Sequence, residues 1–227
     1  MQHLDLVSIV RRTRGGAACL LIALAISACA TLNKKEEGAI IGAGAGGAIG
    51  AVIGNQTGST TRGAIIGAVV GGVAGTIIGN QMDQQAKELK QNIPGATVAR
   101  IGEGIQVTFA SGLLYDFDSD VVRAVAAENL RNLAASLGKY PNTDLLIVGY
   151  TDSDGTSDYN LALSERRAMA VSSFLATQGV TVARLRTAGR GEMEPVSTND
   201  SEVGRQLNRR VEVAIFANAG ARAAHGN

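Results

Sequence analysis

The stretch TDSDGTSDYNLALSERRAMAV, from Thr151 to Val171, changes character once along its length, and that change decides the fold. Its first half is rich in Asp, Ser, Gly and Thr, residues that favour loops and turns. Its second half opens an amphipathic helix from Leu161 to Gln178, which Gly179 stops. Just before it, Leu145 to Val148 has the length and composition of a short buried strand. The unit therefore reads as strand, loop, helix. Asp152 sits on the loop and Arg167 two turns into the helix, so the connection can fold an acid and a guanidinium together.

Working outward, apolar residues alternate in Thr97-Val98-Ala99-Arg100-Ile101 and in Gly104 to Phe109, a strand pair turned at Gly102-Glu103. Val121, Val122, Val125, Leu130, Leu133 and Leu137 mark one face of a helix, and Val211, Val213 and Ile215 alternate in a last strand. The order is β-α-β-α-β-β, an α+β two-layer sandwich over residues 96–218 with both helices on one face of a mixed sheet. Ahead of it MDQQAKELKQ, Met82 to Gln91, is polar and helix-prone and runs out at Pro94-Gly95, so 82–95 reads as a linker. Residues 219–227 read as a flexible tail.

Upstream lies an internal duplication. GAIIGAGAGGAIGAVIGNQ, Gly38 to Gln56, returns 25 residues later as GAIIGAVVGGVAGTIIGNQ, Gly63 to Gln81. Glycines fall every fourth residue: Gly38, Gly42, Gly46, Gly50 and Gly54, then Gly63, Gly67, Gly71, Gly75 and Gly79. That period keeps them on one helical face, where another helix backbone can approach closely. Residues 38–81 are thus expected to form a glycine-zipper helical hairpin. A copy of 17 residues would be about 25 Å long at roughly 1.5 Å per residue, against a hydrocarbon core near ~30 Å. Insertion in a membrane and self-association are both expected uses. Gly42, Gly44 and Gly47 fit G-x-G-x-x-G, but no strand precedes them, so no dinucleotide site is assigned.

The chain has 227 residues and a formal net charge of +1, which offers no basic field for nucleic acid. His3 and His225 lie near the termini, removing the usual general base and zinc ligand from the folded part. Cys19 and Cys29, the two cysteines, both precede residue 30, so the body has no thiol chemistry or disulfide framework. Arg11, Arg12 and Arg14 lead into an apolar run from Ala17 to Ala28, and residues 1–28 read as a signal peptide. The run ends in Ile26-Ser27-Ala28-Cys29, which resembles the lipobox of bacterial lipoproteins. The resemblance implies that Cys29 is diacylated, that 29–37 is a lipidated N-terminus, and that Ala30, being non-acidic, directs the chain to the outer membrane. A soluble secreted protein cut after Ala28, and export by the twin-arginine route, are the alternatives.

TDSDGTSDYNLALSERRAMAV, GRGEMEP from Gly189 and GRQLNRRVEV from Gly204, preceded by YDFDSD at Tyr115 to Asp120, together resemble the OmpA-like peptidoglycan-binding domain of the peptidoglycan-associated lipoproteins. The likeness covers Gln106 to Phe216. It implies non-covalent binding of the wall through the diaminopimelate of its stem peptide, a zwitterion that requires a carboxylate for its ammonium and a guanidinium for its carboxylate. By that resemblance Asp152 takes the ammonium and Arg167 the carboxylate, with Phe117 as pocket wall and Asp118 as a main-chain donor. Asn160 is read as fastening the loop to the helix start. Arg209 and Arg210 cannot face the same side of a strand; Arg209 shares parity with Val211 and Val213 and is taken as the second ligand arginine. An ordinary ion pair between Asp152 and Arg167 is the competing reading.

The implied function is a non-catalytic tether between outer membrane and cell wall, with peptidoglycan and outer-membrane lipid as partners and other outer-membrane proteins as further candidates. No cofactor is expected, and the spacing of Asp120, Asp154 and Asp158 lacks the EF-hand pattern, so no metal is assigned. Paired acids such as Asp152 and Asp154 raise glycoside cleavage, without an acid/base pair in a sugar cleft. A stator-like ion conductor needs an ionisable residue in its membrane segment, and neither repeat has one. A glycine-zipper oligomer that permeates membranes is compatible with wall binding.

Overall fold

The computed structural model describes residues 58–70, 76–116 and 118–224. Cys29, the first glycine repeat and Phe117 lie outside the described residues. The sheet has the order β1-β2-β5-β3-β4, built from β1 (Thr97–Ile101), β2 (Gly104–Ala110), β3 (Thr143–Tyr150), β4 (Leu185–Gly189) and β5 (Arg210–Ala217). β3 and β4 are parallel and the other pairs antiparallel. The helices are α1 (Thr60–Val70), α2 (Thr76–Asn92), α3 (Ser111–Leu114), α4 (Ala124–Lys139), α5 (Ser157–Thr177), α6 (Glu202–Asn208) and α7 (Ala219–Ala224), with a 3-10 turn at Val182–Arg184.

The expected β-α-β-α-β-β order is present as β2-α4-β3-α5-β4-β5, and the fold is mixed α+β, with β1 added at the sheet edge. Ile105, Val107, Phe109, Leu145, Ile147, Val211, Val213 and Ile215 project from one face of the sheet into the main core. There they meet Leu130, Leu133 and Leu137 of α4 and Ala168, Val171 and Leu175 of α5. Two valines depart from the expected helix face. Val121 is 72% and Val125 65% exposed, because α4 starts at Ala124 and its buried stripe begins at Ala126.

Two further departures change the domain's extent. Residues 82–95, expected as a linker, belong largely to α2, whose Met82, Ala86 and Leu89, with Ile93 just beyond it, are all buried in the main core. Their spacing is i, i+4, i+7, i+11, one stripe of a helix; the segment's polar average conceals it. The glycine repeat from Gly63 to Gln81 also bears on the domain itself. Its start lies in α1, which covers the other face of the sheet, and Gly79 lies in α2. Ile65 is fully buried there with Ala214 and Phe216. A side chain at Gly104 would bring its Cβ within 2.6 Å of Ile65 and 2.7 Å of the Ile215 carbonyl, so only glycine allows this approach. The sheet is therefore covered on both sides, and every residue of β5 is buried. Among the described residues, no helix is long and apolar enough to cross a membrane.

Candidate functional site

Strand register brings the candidate residues to one end of the sheet. Arg210, the first residue of β5, pairs with Ala110 at the end of β2 and with Tyr150 at the end of β3. The residues just beyond those pairs, Ser111, Thr151-Asp152 and Arg209, therefore meet; the Ser111 N–H donates to the Arg209 carbonyl at 2.8 Å. The loop after β4 closes in as well, with the Thr151 N–H donating to the Gly191 carbonyl at 2.9 Å. α5 starts over this end. Thr156 is its N-cap, its hydroxyl accepting from the Tyr159 N–H at 3.3 Å. The helix can lie this close because Gly149 has no side chain: a Cβ there would sit 2.0 Å from the Ser164 carbonyl oxygen.

Asp152 is 6% exposed, and its Oδ2 accepts from Arg209 Nη1 at 2.5 Å, while Oδ1 accepts from the Asp154 N–H at 3.2 Å. Arg209 Nη2 donates to Glu202 at 2.5 Å, and Glu202 also accepts from Arg205. Burial opposes the charge on Arg209, but the bonds to Glu202 and Asp152 outweigh it and raise its pKa. Hydrogen bonds from Arg209 and then Arg205 hold the Glu202 carboxyl below its ordinary value.

Arg167 lies on α5 and is 5% exposed. Its Nε donates to the Ser119 carbonyl at 3.1 Å and its guanidinium lies 5.3 Å from the centre of the Tyr115 ring. The Tyr115 hydroxyl in turn donates to the Arg167 carbonyl at 2.6 Å. Burial lowers the Arg167 pKa, while Tyr115, Tyr159, Asp118 and Asp152 pull it back. Asp152 and Arg167 form no ion pair with each other, and no described carboxylate lies within ion-pair distance of Arg167. The ion-pair partner of Asp152 in this structure is Arg209.

Asp118 has φ 54, a left-handed backbone that costs a non-glycine residue about 1–2 kcal/mol, and its carboxylate accepts from the Tyr159 hydroxyl. Asn160 is buried inside the first turns of α5 and donates to Glu192 at 2.7 Å, so it ties the loop after β4 to the helix, and the capping role belongs to Thr156. Arg166 pairs with Asp120 at 3.1 Å. Arg210 points to the opposite face from Arg209, onto Glu212 at 2.6 Å and over the Tyr150 ring at 3.7 Å. Sequence reasoning did not assign Glu202, Tyr159, Ser119 or Glu192; Ser119 and Tyr159 are the chain neighbours of Asp118 and Asn160, whereas Glu192 and Glu202 reach the site from the loop after β4 and from α6. Among the described residues no cluster of acids, histidines or cysteines could hold a metal. A cavity of about 320 Å³ lies between α2, the end of α4 and α7, and contains none of these residues.

The end of the sheet thus gathers one buried acid and two arginines, with a helix starting over it. Residues 114–209 match the OmpA family, and residues 12–83 match the YMGG-like Gly-zipper. The chain is 38% identical over 208 residues to "Probable lipoprotein YiaD" of Escherichia coli (strain K12), covering 88% of this chain and 95% of that protein. It is 36% identical over 126 residues to a peptidoglycan-associated lipoprotein of Brucella melitensis, covering 56% of this chain and 74% of that one. The cell wall anchor of the T6SS from Pseudomonas aeruginosa superposes with a TM-score of 0.50 at 31% identity, over 62% of this chain and 97% of that chain. The chain belongs to the OmpA family, with a YMGG-like Gly-zipper ahead of the OmpA domain.

Proposed function

We propose that this protein binds peptidoglycan non-covalently, recognising the diaminopimelate of the stem peptide, and that it is an outer-membrane lipoprotein tethering that membrane to the wall without catalysing a reaction. The observation that carries the reading is the charge pattern at the sheet end: Asp152 held by Arg209, and beside them a buried Arg167 with no described carboxylate of its own. A zwitterion complements that set. Its ammonium joins Asp152, and its carboxylate takes the unfilled donors of Arg167 and shares those of Arg209. Asp118 shapes the neighbouring wall with Phe117, and Asn160 holds the helix start against the loop. Relatives described as peptidoglycan-associated lipoproteins and as a cell wall anchor point the same way. The lipid is placed on Cys29, with the OmpA domain in the periplasm. Glycine-zipper self-association and contact with other outer-membrane proteins are further roles of the N-terminal part.

The test is retention of the purified protein on isolated wall sacculi, with circular dichroism of each variant. Asp152→Ala and Arg167→Ala should each nearly abolish retention with the fold intact. Normal retention by a folded double variant refutes the assignment. Release of glycan fragments from the sacculi would instead identify an enzyme.

A further inference from the structure

The back of the sheet, away from the candidate pocket, carries a buried polar cluster that the proposed function does not use. Glu212 is 2% and Arg210 3% exposed, and Glu212 accepts from Arg210 Nε at 2.6 Å and from Gln106 at 2.7 Å. Glu194, on the loop after β4, accepts from the Tyr150 hydroxyl at 3.0 Å and pairs with Arg190 at 3.4 Å. Burial raises the Tyr150 pKa well above its ordinary value, which keeps the phenol a donor. The start of α1 completes the cluster. Thr60 donates to Glu194 through its N–H at 2.9 Å and its hydroxyl at 2.5 Å, and that hydroxyl accepts from Arg190 at 2.7 Å. The Thr61 hydroxyl donates to Glu212. A carboxylate at the first turn of a helix also meets the positive end of its dipole.

Two elements of this cluster continue directly into the pocket. Two residues before Glu194 on the same loop, Glu192 accepts from Asn160 at 2.7 Å and from Ser157 at 2.8 Å, at the start of the helix that carries Arg167. One residue before Arg210, Arg209 holds Asp152. Each backbone segment therefore presents one side chain to α1's cluster and one to the pocket. Withdrawing α1 takes two bonds from Glu194 and one from Glu212, opens both carboxylates to water, and leaves them to Arg190, Tyr150, Arg210 and Gln106, whose positions then adjust. Arg210 and the loop cannot move without carrying Arg209 and Glu192.

We propose that Thr60 and Thr61 are positioning residues for wall binding: docking of α1, the start of the second glycine repeat, onto Glu194 and Glu212 sets the geometry of the pocket on the other side of the sheet. The inference rests on the wall-binding reading above. Coupling of this kind is reciprocal, so bound ligand must hold α1 down by the same factor by which docked α1 improves binding.

The experiment uses the full chain in detergent micelles, with hydrogen exchange of residues 60–70 and titration onto sacculi read in parallel. In the wild type, a diaminopimelate-containing stem peptide should slow exchange in α1. Thr60→Val with Thr61→Val should expose α1 to exchange and weaken sacculus binding about tenfold, within the usual range of coupling between sites. Thr60→Ser with Thr61→Ser, which keeps both hydroxyls, should restore both readouts. The coupling is overturned if α1 exchange in the wild type ignores the peptide, a result that needs no variant to fold. It is overturned equally if the valine variant keeps α1 protected, or exposes α1 yet binds with wild-type affinity. Failure of the wild type to bind sacculi would instead overturn the wall-binding reading.

Discussion

Arg167→Ala separates recognition from folding more cleanly than any other change at the site. The side chain makes one hydrogen bond, to the Ser119 carbonyl at 3.1 Å, and one ring contact, with Tyr115 at 5.3 Å. Losing a hydrogen bond of a charged donor and a cation–π contact costs roughly 2 kcal/mol, about 4–8 °C in Tm for a chain of this length, and the lost packing of the buried stem adds to it. No described ion pair is broken. A ligand carboxylate held by the guanidinium fork, by contrast, loses charge-assisted bonds of roughly 1.5–3 kcal/mol each. A single such bond corresponds to about a tenfold to hundredfold loss of affinity, and two to correspondingly more. Arg167→Lys keeps the charge without the planar fork and should recover only part of the loss. Arg209→Ala makes the contrast: it strips a buried Asp152 of its partner, so stability and binding should fall together. The assay is sacculus titration beside thermal unfolding for all three variants. Wild-type affinity in a folded Arg167→Ala protein refutes the reasoning, and so does a binding loss no larger than its stability loss.

Three further outcomes are expected. Mass spectrometry of the mature chain should find Cys29 at the N-terminus and acylated; an unmodified Cys29 or another N-terminus refutes the lipid assignment. Asp118→Gly removes the strain of φ 54 but also the bond from Tyr159, and it loosens the unfolded chain, so stability in denaturant unfolding should change by no more than about 1 kcal/mol, yet sacculus retention should weaken because the loop is no longer held in one shape. Gly149→Ala forces a Cβ to 2.0 Å from the Ser164 carbonyl and should destabilise by about 3 kcal/mol or more; a stable variant would mean that α5 can lift off β3 without harm.

The parts of this fold legible in the sequence are those governed by short periods. Alternation marked β1, β2 and β5, and strand parity separated Arg209 from Arg210, which the structure indeed places on opposite faces. What escaped were features where composition and period disagree, or where partners are far apart in sequence. α2 is polar along most of its length, yet its buried stripe at Met82, Ala86, Leu89 and Ile93 is regular. Val121 and Val125 are apolar and helical in spacing, yet they precede or open the helix and meet solvent. The Asp152–Arg209 bond joins residues 57 apart, and nothing local to either distinguishes it from a pairing with Arg167. Thr156 and Asn160 are both plausible helix-start residues by type; the loop after β4, with Glu192, decides which one caps and which one ties.

The position of α1 bears on how the proposed tether would work. Thr61 and Ile65 hold α1 against the sheet, so while α1 is docked the second repeat cannot also be inserted in a membrane. A second repeat inserted in a membrane and a docked α1 are therefore alternative states of the same segment. They would give the proposed wall-binding domain different reach. With the second repeat in the membrane, only residues 82–95 would connect it to β1, at most about 50 Å of extended chain at roughly 3.3–3.6 Å per residue. That state would also have to pull Met82, Ala86 and Leu89 out of the core, which costs roughly 1.5–3 kcal/mol for each large apolar side chain exposed. With α1 docked, the proposed anchor at Cys29 would be linked to Gly58 by at most about 100 Å of extended chain by the same rule. The buried stripe of α2, the seat of Ile65 on Gly104 and the Thr60 and Thr61 bonds all favour the second arrangement. In it the described start of the second repeat, residues 63–70, forms the back wall of the OmpA domain.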